Sequence, residues 1–474
     1  MWAALVPVVP VLMVLLAACV AFALEQRRQP VDDSAMTAVP AVGLVAAIAA
    51  SMVIWSRGPD AIGTIEADTY AAFFNVACCA LGLFTIASTS AAQRRAGGVR
   101  GDLLLASIAA MMVAVAARDL LIGVLALQVV WFAGLVMIAL GRDPDAAGET
   151  AFKTVLVGAF AGAIWWYGVA LVRAVAGTTR LDDLAARLAA SSLDPHVLLA
   201  IGVMCVVAGF AFVVAAVPFN VWAVDVAGGT DAPAAGFVTT GLRLAGCATF
   251  LRVLLTAFEP LRTDWLPVVS VIAGVTMVVG AIVAISQPNV RRLLGHIGVA
   301  HTGYFLAGLL AASQTGKIAV LFALVGWAAA SAVAFAVLAL IAAERRHDDV
   351  RDFAGLAYDR PALAALLAVC LVSLAGLPPT AGFVGRWLIV SAAIQEGLVS
   401  VAVLIGLTSV VLAIACLRLI VQMYMTTRHG PRRRVPAGGG RAVAVAVVVA
   451  LIVAVGVWPG GMLTAAARSI AAVF

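Results

Sequence analysis

Glu149 and Lys153 stand four apart in an apolar stretch. On a helix that spacing puts both on one face, and glutamate ahead of lysine is the favourable order for an ion pair. A buried lysine can release its proton, so the pair is a candidate for proton exchange; near a helix end it can equally be a solvated pair. Arg243 stands between Leu242 and Leu244, in mid-stretch. Arg386 follows Gly376-Leu377-Pro378-Pro379-Thr380-Ala381-Gly382-Phe383, where carbonyls freed by the prolines could hold it. Arginine keeps its proton, so both can bias neighbours or hold water but cannot relay. His301, within Gly298-Val299-Ala300-His301-Thr302-Gly303-Tyr304, exchanges protons near neutrality; a hydrogen-bonded core histidine is the alternative. Arg173, Arg252 and Arg418 fall toward the ends of apolar stretches and read as snorkelling to an interface.

The elements that carry these residues are set by composition. The chain has 474 residues, 64% hydrophobic and 11% charged, with mean hydropathy +1.11. Soluble domains run near half apolar and a quarter charged, so lipid must be the solvent. A crossing helix needs roughly 20 apolar residues. Candidate spans lie near 3–24, 36–55, 70–90, 101–117, 120–140, 151–176, 197–217, 234–255, 266–286, 292–313, 318–343, 361–394, 398–425 and 441–462. The expected fold is therefore an all-α polytopic membrane protein of about 14 transmembrane helices. Only Arg118 and Asp119 separate the fourth and fifth spans, which demands a tight turn.

Charge excludes some classes and sets orientation. The net charge of +6 lies in interhelical loops rather than on one soluble surface, so no nucleic-acid partner is implied. Odd-numbered loops hold most of the basic residues, among them Arg27, Arg28, Arg345, Arg346 and Arg432–Arg434. Even loops hold only Arg57, Arg118, Arg180, Arg187, Arg262 and Lys317. The positive-inside bias places odd loops in the cytoplasm and both termini outside. The seven cysteines lie in apolar stretches without metal-ligand spacing, and no haem or iron–sulfur motif appears. No redox centre or cofactor is expected in this chain.

Two spans carry breaks. The seventh runs into Val217-Pro218-Phe219-Asn220-Val221-Trp222 and then a segment read as loop, with Asp225, Gly228 and Gly229. The twelfth contains Pro378 and Pro379. Interrupted helices at corresponding places point to inverted repeats and an ion path; two unrelated proline kinks are the alternative. With helices 4–8 and 9–13 as two five-helix units, the breaks in helices 7 and 12 fall in the fourth helix of each. The organisation expected is 1–100 for helices 1–3, 101–258 and 264–427 for the two repeats, and 428–474 for a basic cytoplasmic loop and helix 14.

At these motifs the chain resembles subunit N of bacterial NADH-quinone oxidoreductase (respiratory complex I), among the antiporter-like proton-channel subunits. The resemblance rests on the segment around Pro218 with Asp225 and Ala232-Pro233, on Gln287-Pro288-Asn289-Val290-Arg291-Arg292-Leu293-Leu294, on Ala300–Tyr304 and on Ser373–Gly385, in family order over about 118–425. It implies two inverted repeats, a midplane chain of charges, and partner membrane-arm subunits. Quinone, NADH, flavin and iron–sulfur clusters are then expected in the complex rather than in this chain. Glu149 and Lys153 match family positions. The family's eighth- and twelfth-helix lysines fall on Arg243 and Arg386, its fifth-helix glutamate on Gln128, its seventh-helix lysine on Val213, and the histidine of its Pro-Phe-His motif on Asn220. Lys153 then reads as the one buried lysine able to exchange a proton, and His301 as the remaining titratable group near the midplane. Three functions stay open: a proton-translocating subunit of an NADH:quinone oxidoreductase, with a weakened or altered path; the homologous subunit of a cation/proton antiporter or membrane-bound hydrogenase; or a non-pumping structural subunit.

Overall fold

The computed structural model describes residues 3–26, 33–58, 60–90, 93–94, 99–190, 197–342, 348–426 and 439–473. The basic residues Arg27, Arg28, Arg345, Arg346 and Arg432–Arg434 lie outside the described residues. Nearly every described element is helical. The helices are α1 Val9–Glu25, α2 Asp33–Arg57, α3 Thr69–Ser88, α4 Gly101–Ala116, α5 Leu120–Ala139, α6 Pro144–Ala176, α7 Leu181–Ala189, α8 Val197–Val213 and α9 Val221–Gly229. They continue as α10 Ala232–Thr256, α11 Arg262–Ser286, α12 Val290–Ala311, α13 Gln314–Ala342, α14 Pro361–Ala375, α15 Ala381–Gln395, α16 Val399–Met425, α17 Gly439–Val457 and α18 Gly460–Ala471. A small hairpin, β1 Asp60–Ile62 and β2 Ile65–Ala67, joins α2 to α3.

Among the described residues, eleven helices are long and apolar enough to cross a membrane, and α4, α8, α14 and α15 are shorter apolar helices. Burial runs against hydropathy. Among the long helices α10 and α12 are the least apolar and are wholly buried, whereas α17 is among the more apolar and is mostly exposed. That ordering follows when the surrounding solvent is hydrocarbon: apolar surface gains nothing by turning inward, and polar groups gather where protein can satisfy them.

Two expectations need correction. The segment after Asn220 is not loop: Val221–Gly229 forms a helix, since the break spends only 214–220 before helical hydrogen bonding resumes. The break expected in the twelfth span is present and divides it into α14 and α15, because Pro378 and Pro379 lack the amide donors an unbroken helix requires. The last span stops at Val457; Pro459 starts a separate helix, α18, whose Arg468 carbonyl accepts from Thr69 Oγ1 at 3.1 Å. The tight turn after α4 is present. Asp119 caps α5 by accepting from Leu121 N at 2.9 Å, and its other oxygen accepts from Thr179 Oγ1 at 2.8 Å.

Candidate functional site

Two broken helices frame the interior, and each frees carbonyls that need donors away from water. Pro218 lies between α8 and α9. There Trp222 Nε1 donates to Phe212 O at 2.8 Å and Thr302 Oγ1 to Val214 O at 2.7 Å. Val217 N donates to Thr276 Oγ1 at 3.0 Å. Pro378 and Pro379 lie between α14 and α15, and there the donor is charged. Arg386 Nη1 donates to Ala375 O at 2.5 Å and Nη2 to Leu374 O at 2.9 Å. Gly376, at φ 72°, packs against the guanidinium, where any Cβ would collide with it.

Arg386 also reaches His301, with Nη2 3.3 Å from Nε2. Arginine can only donate, so Nε2 accepts and the ring proton sits on Nδ1, which is 2.9 Å from Ile297 O. His301 is therefore a neutral imidazole with both nitrogens engaged. The Tyr304 ring lies 4.7 Å from Arg386 Cζ, and the Trp327 ring 6.4 Å from His301. Arg243 Cζ lies 5.6 Å from the same Trp327 ring. Arg386, His301, Trp327 and Arg243 thus form a buried line through α15, α12, α13 and α10.

The two arginines are held differently. Arg386 rests on the carbonyl end of α14, where the helix dipole supplies partial negative charge. Arg243 is 1% exposed and has no acidic partner among the described residues; its Nε and Nη2 have no hydrogen-bond partner among them.

Glu149 and Lys153 do pair, but not in the interior. Their side chains are 65% and 54% exposed on the chain's own surface, on the face of α6 that also bears Phe152, Leu156 and Phe160. The reading of Lys153 as a buried lysine is corrected: the spacing fixed the shared face, but nothing in it said which way that face turns. Gln128 is half-buried on α5, facing α6 near Gly162. Val213 is buried against Gly246.

Arg252 does not snorkel. It is 2% exposed and bound to two carboxylates, Asp68 at 2.7 Å and Glu66 at 3.3 Å. Arg118 holds Glu66 at 3.1 Å and Asp182 at 2.9 Å. Asp68 also caps α3 through Ala71 N at 2.6 Å. Burial and the neighbouring Asp68 push the Glu66 carboxyl above its ordinary range, although Arg252 and Arg118 pull it down. Sequence offered one partial signal, Asp68 one residue ahead of α3 as an N-cap; Arg252 is 184 residues away and no spacing connects them.

Residues 117–413, most of the chain, match the family described as NADH:quinone oxidoreductase/Mrp antiporter, transmembrane. This chain belongs to that family. Among curated relatives it is 33% identical to NADH-quinone oxidoreductase subunit N 1 of Solibacter usitatus, over 93% of this chain and 92% of that one. It is 35% identical to subunit N of Mycobacterium tuberculosis over 77% of this chain and 71% of that one. A chain of respiratory complex I from Thermus thermophilus superposes with TM-score 0.81 at 26% identity, covering 96% and 98% of the two chains. A chain of the Mrp complex from Dietzia, at 19% identity and TM-score 0.86 over 100% and 98%, shares the fold.

Proposed function

We propose that the chain is subunit N of the membrane arm of a bacterial NADH-quinone oxidoreductase, coupling electron transfer from NADH to quinone with proton translocation. The observation that carries this reading is the buried line Arg386–His301–Trp327–Arg243, set between two proline-broken helices in a chain one-third identical to subunit N over nearly its whole length. A line of polar groups through a hydrocarbon-solvated interior has a structural cost that a merely space-filling bundle would avoid. NADH, flavin, iron–sulfur clusters and the quinone site belong to partner subunits. Among the described residues no group of three or more His, Cys, Asp or Glu could hold a metal ion.

Counting α8 with α9 and α14 with α15 as single broken spans gives the fourteen crossings. The two inverted repeats are then α4–α10, the expected 101–258, and α11–α16, the expected 264–427, with the breaks in the fourth crossing of each. Residues 1–100 add three crossings before them and 428–474 the last. Even-numbered connections meet one another on one side, as Glu66, Arg118 and Asp182 do. Odd ones meet on the other, as Glu25 with Arg100 and Arg291 with Asp348 do. Odd loops are assigned to the cytoplasm and both termini to the outside.

The proton path is altered. Arg243 and Arg386 act as fixed positive charges, and Gln128 and Val213 carry no proton. Exchange is left to His301, to the Glu149–Lys153 pair and to water. An ion pair facing hydrocarbon is costly, so a neighbouring membrane subunit covers that face of α6. A second reading, the non-pumping structural subunit, is favoured by Val213 and by the outward turn of Lys153. Affinity purification of the tagged chain in mild detergent tests the proposal: NADH-oxidising, quinone-reducing subunits must accompany it. A monodisperse single chain, or a co-purifying set without NADH-oxidising activity, overturns it.

A further inference from the structure

We infer that Arg243 and Trp327 form a binding site for a small monovalent anion of the halide class inside the protein. Arginine cannot neutralise itself by losing a proton, and an isolated ion out of water is strongly unfavourable unless paired. Arg243 is 1% exposed, on a helix buried along its whole length. It makes no ion pair with any described carboxylate, and its Nε and Nη2 have no partner. Cys247, one turn along α10, brings a thiol rather than a carboxylate.

Arg386 provides the internal contrast. It too is buried, yet its charge rests on Leu374 O, Ala375 O and the neutral His301. Arg243 has no carbonyls of that kind, because α10 is unbroken around it. What stands near it are more donors. Trp327 Nε1 is buried and also without a partner. The Cζ2 edge of Trp327, beside the indole nitrogen, comes together with Arg243 Nη1 and Cζ at Gly298, whose missing Cβ leaves the approach open. His301, beyond the Trp327 ring, spends both nitrogens elsewhere.

A cluster of N–H donors with one fixed positive charge, and no ion pair with a carboxylate among the described residues, calls for an acceptor that carries negative charge; the unpartnered Nδ1 of nearby His296 offers no such charge. No side chain of another subunit can supply it, since α10 lies wholly inside this chain. The occupant must be small enough to enter as a free ion. Water would satisfy the donors but leave the charge unpaired, so a halide is the occupant the site selects. The site is built from this chain's own packing, whichever assembly carries it.

The test uses the purified protein in whatever assembly it comes with, exchanged from chloride into bromide. Anomalous diffraction at the bromine edge should show a peak within hydrogen-bond reach of the Arg243 guanidinium. Thermal unfolding of the wild type should shift upward in chloride relative to gluconate at equal ionic strength. Arg243→Met should abolish that halide-dependent shift, and Trp327→Phe should reduce it. A structure without bromide signal there, or a wild-type melting temperature equal in the two salts, overturns the inference. If Arg243→Met does not fold, the bromide map and Trp327→Phe still decide it.

Discussion

His301 Nε2 accepts a hydrogen bond from Arg386 Nη2 at 3.3 Å, and the same guanidinium nitrogen donates to Leu374 O at 2.9 Å. The broken helix and the histidine are therefore one unit. A buried carbonyl left without a donor costs about 1–3 kcal/mol, and Arg386→Met strands two. That variant should lower the thermal stability of the isolated assembly by several degrees and reduce assembly yield. Arg386→Lys keeps the charge and one or two of the bonds, so it should assemble. Equal melting temperatures for wild type and Arg386→Met would remove the role given to this contact.

Arg252 is the partner of a carboxylate with no exposure at all. Breaking a buried ion pair from one side costs about 3–5 kcal/mol, because the other charge stays behind. Arg252→Met should be among the most destabilising substitutions in the chain, more so than Arg180→Met at an exposed pair. The double variant Arg252→Met with Asp68→Asn should recover part of the loss. Thermal melts of wild type, Arg252→Met, Asp68→Asn and the double variant give the coupling, and strict additivity would rule the pairing out.

The same network gives a pH dependence. Burial and Asp68 raise the Glu66 carboxyl above its ordinary 4.5. A raised folded-state value means that Glu66's contribution is fully present below the unfolded value and is lost as pH rises through the folded one. Glu66→Gln should therefore melt at or above the wild-type temperature at pH 7.5, with the difference closing as pH falls toward 4.5. A variant less stable than wild type at pH 7.5, with the gap closing only as pH falls, would reverse the sign and refute the assignment.

Sequence made the helices legible because hydropathy alone decides which segments lie in lipid, and proline chemistry located both breaks. It also placed Arg386 beside freed carbonyls, since the break and the arginine are close along the chain. Contacts across the fold were hidden. Nothing local joins Arg252 to Asp68, and the Glu149–Lys153 spacing gives a face but not its direction. In lipid the usual guide fails, because outward and inward faces are both apolar. The length of the second helix after Asn220 was likewise unreadable: the pair Gly228 and Gly229 suggests loop, yet these glycines end α9, with Gly229 packed on Thr150.

Topology can be checked at exposed positions on opposite sides. Asp145 follows α5 and Asp183 lies in α7, and both are exposed. With native cysteines controlled for, Asp183→Cys should react with an impermeant thiol reagent in intact cells, and Asp145→Cys only after permeabilisation. The opposite pattern inverts the orientation.

Lys153 is the remaining test of whether protons pass here. Its ammonium pairs with Glu149 on the outer face of α6, beside Phe152 and Phe160, which are both 64% exposed. Two consequences follow if a neighbouring subunit covers that face. Phe160→Cys carrying a thiol-linked photo-crosslinker should crosslink to a membrane partner on illumination rather than stay free. Lys153→Met, which leaves Glu149 unpaired against that partner, should lower the proton yield per NADH in sealed vesicles, while Val213→Leu, which alters no charge, should not. The two readouts separate the readings. A crosslink with unchanged yield in Lys153→Met makes the pair a docking contact and the chain a structural subunit. A reduced yield with normal assembly places Lys153 on the proton path, entering from the subunit boundary rather than through the chain's own centre.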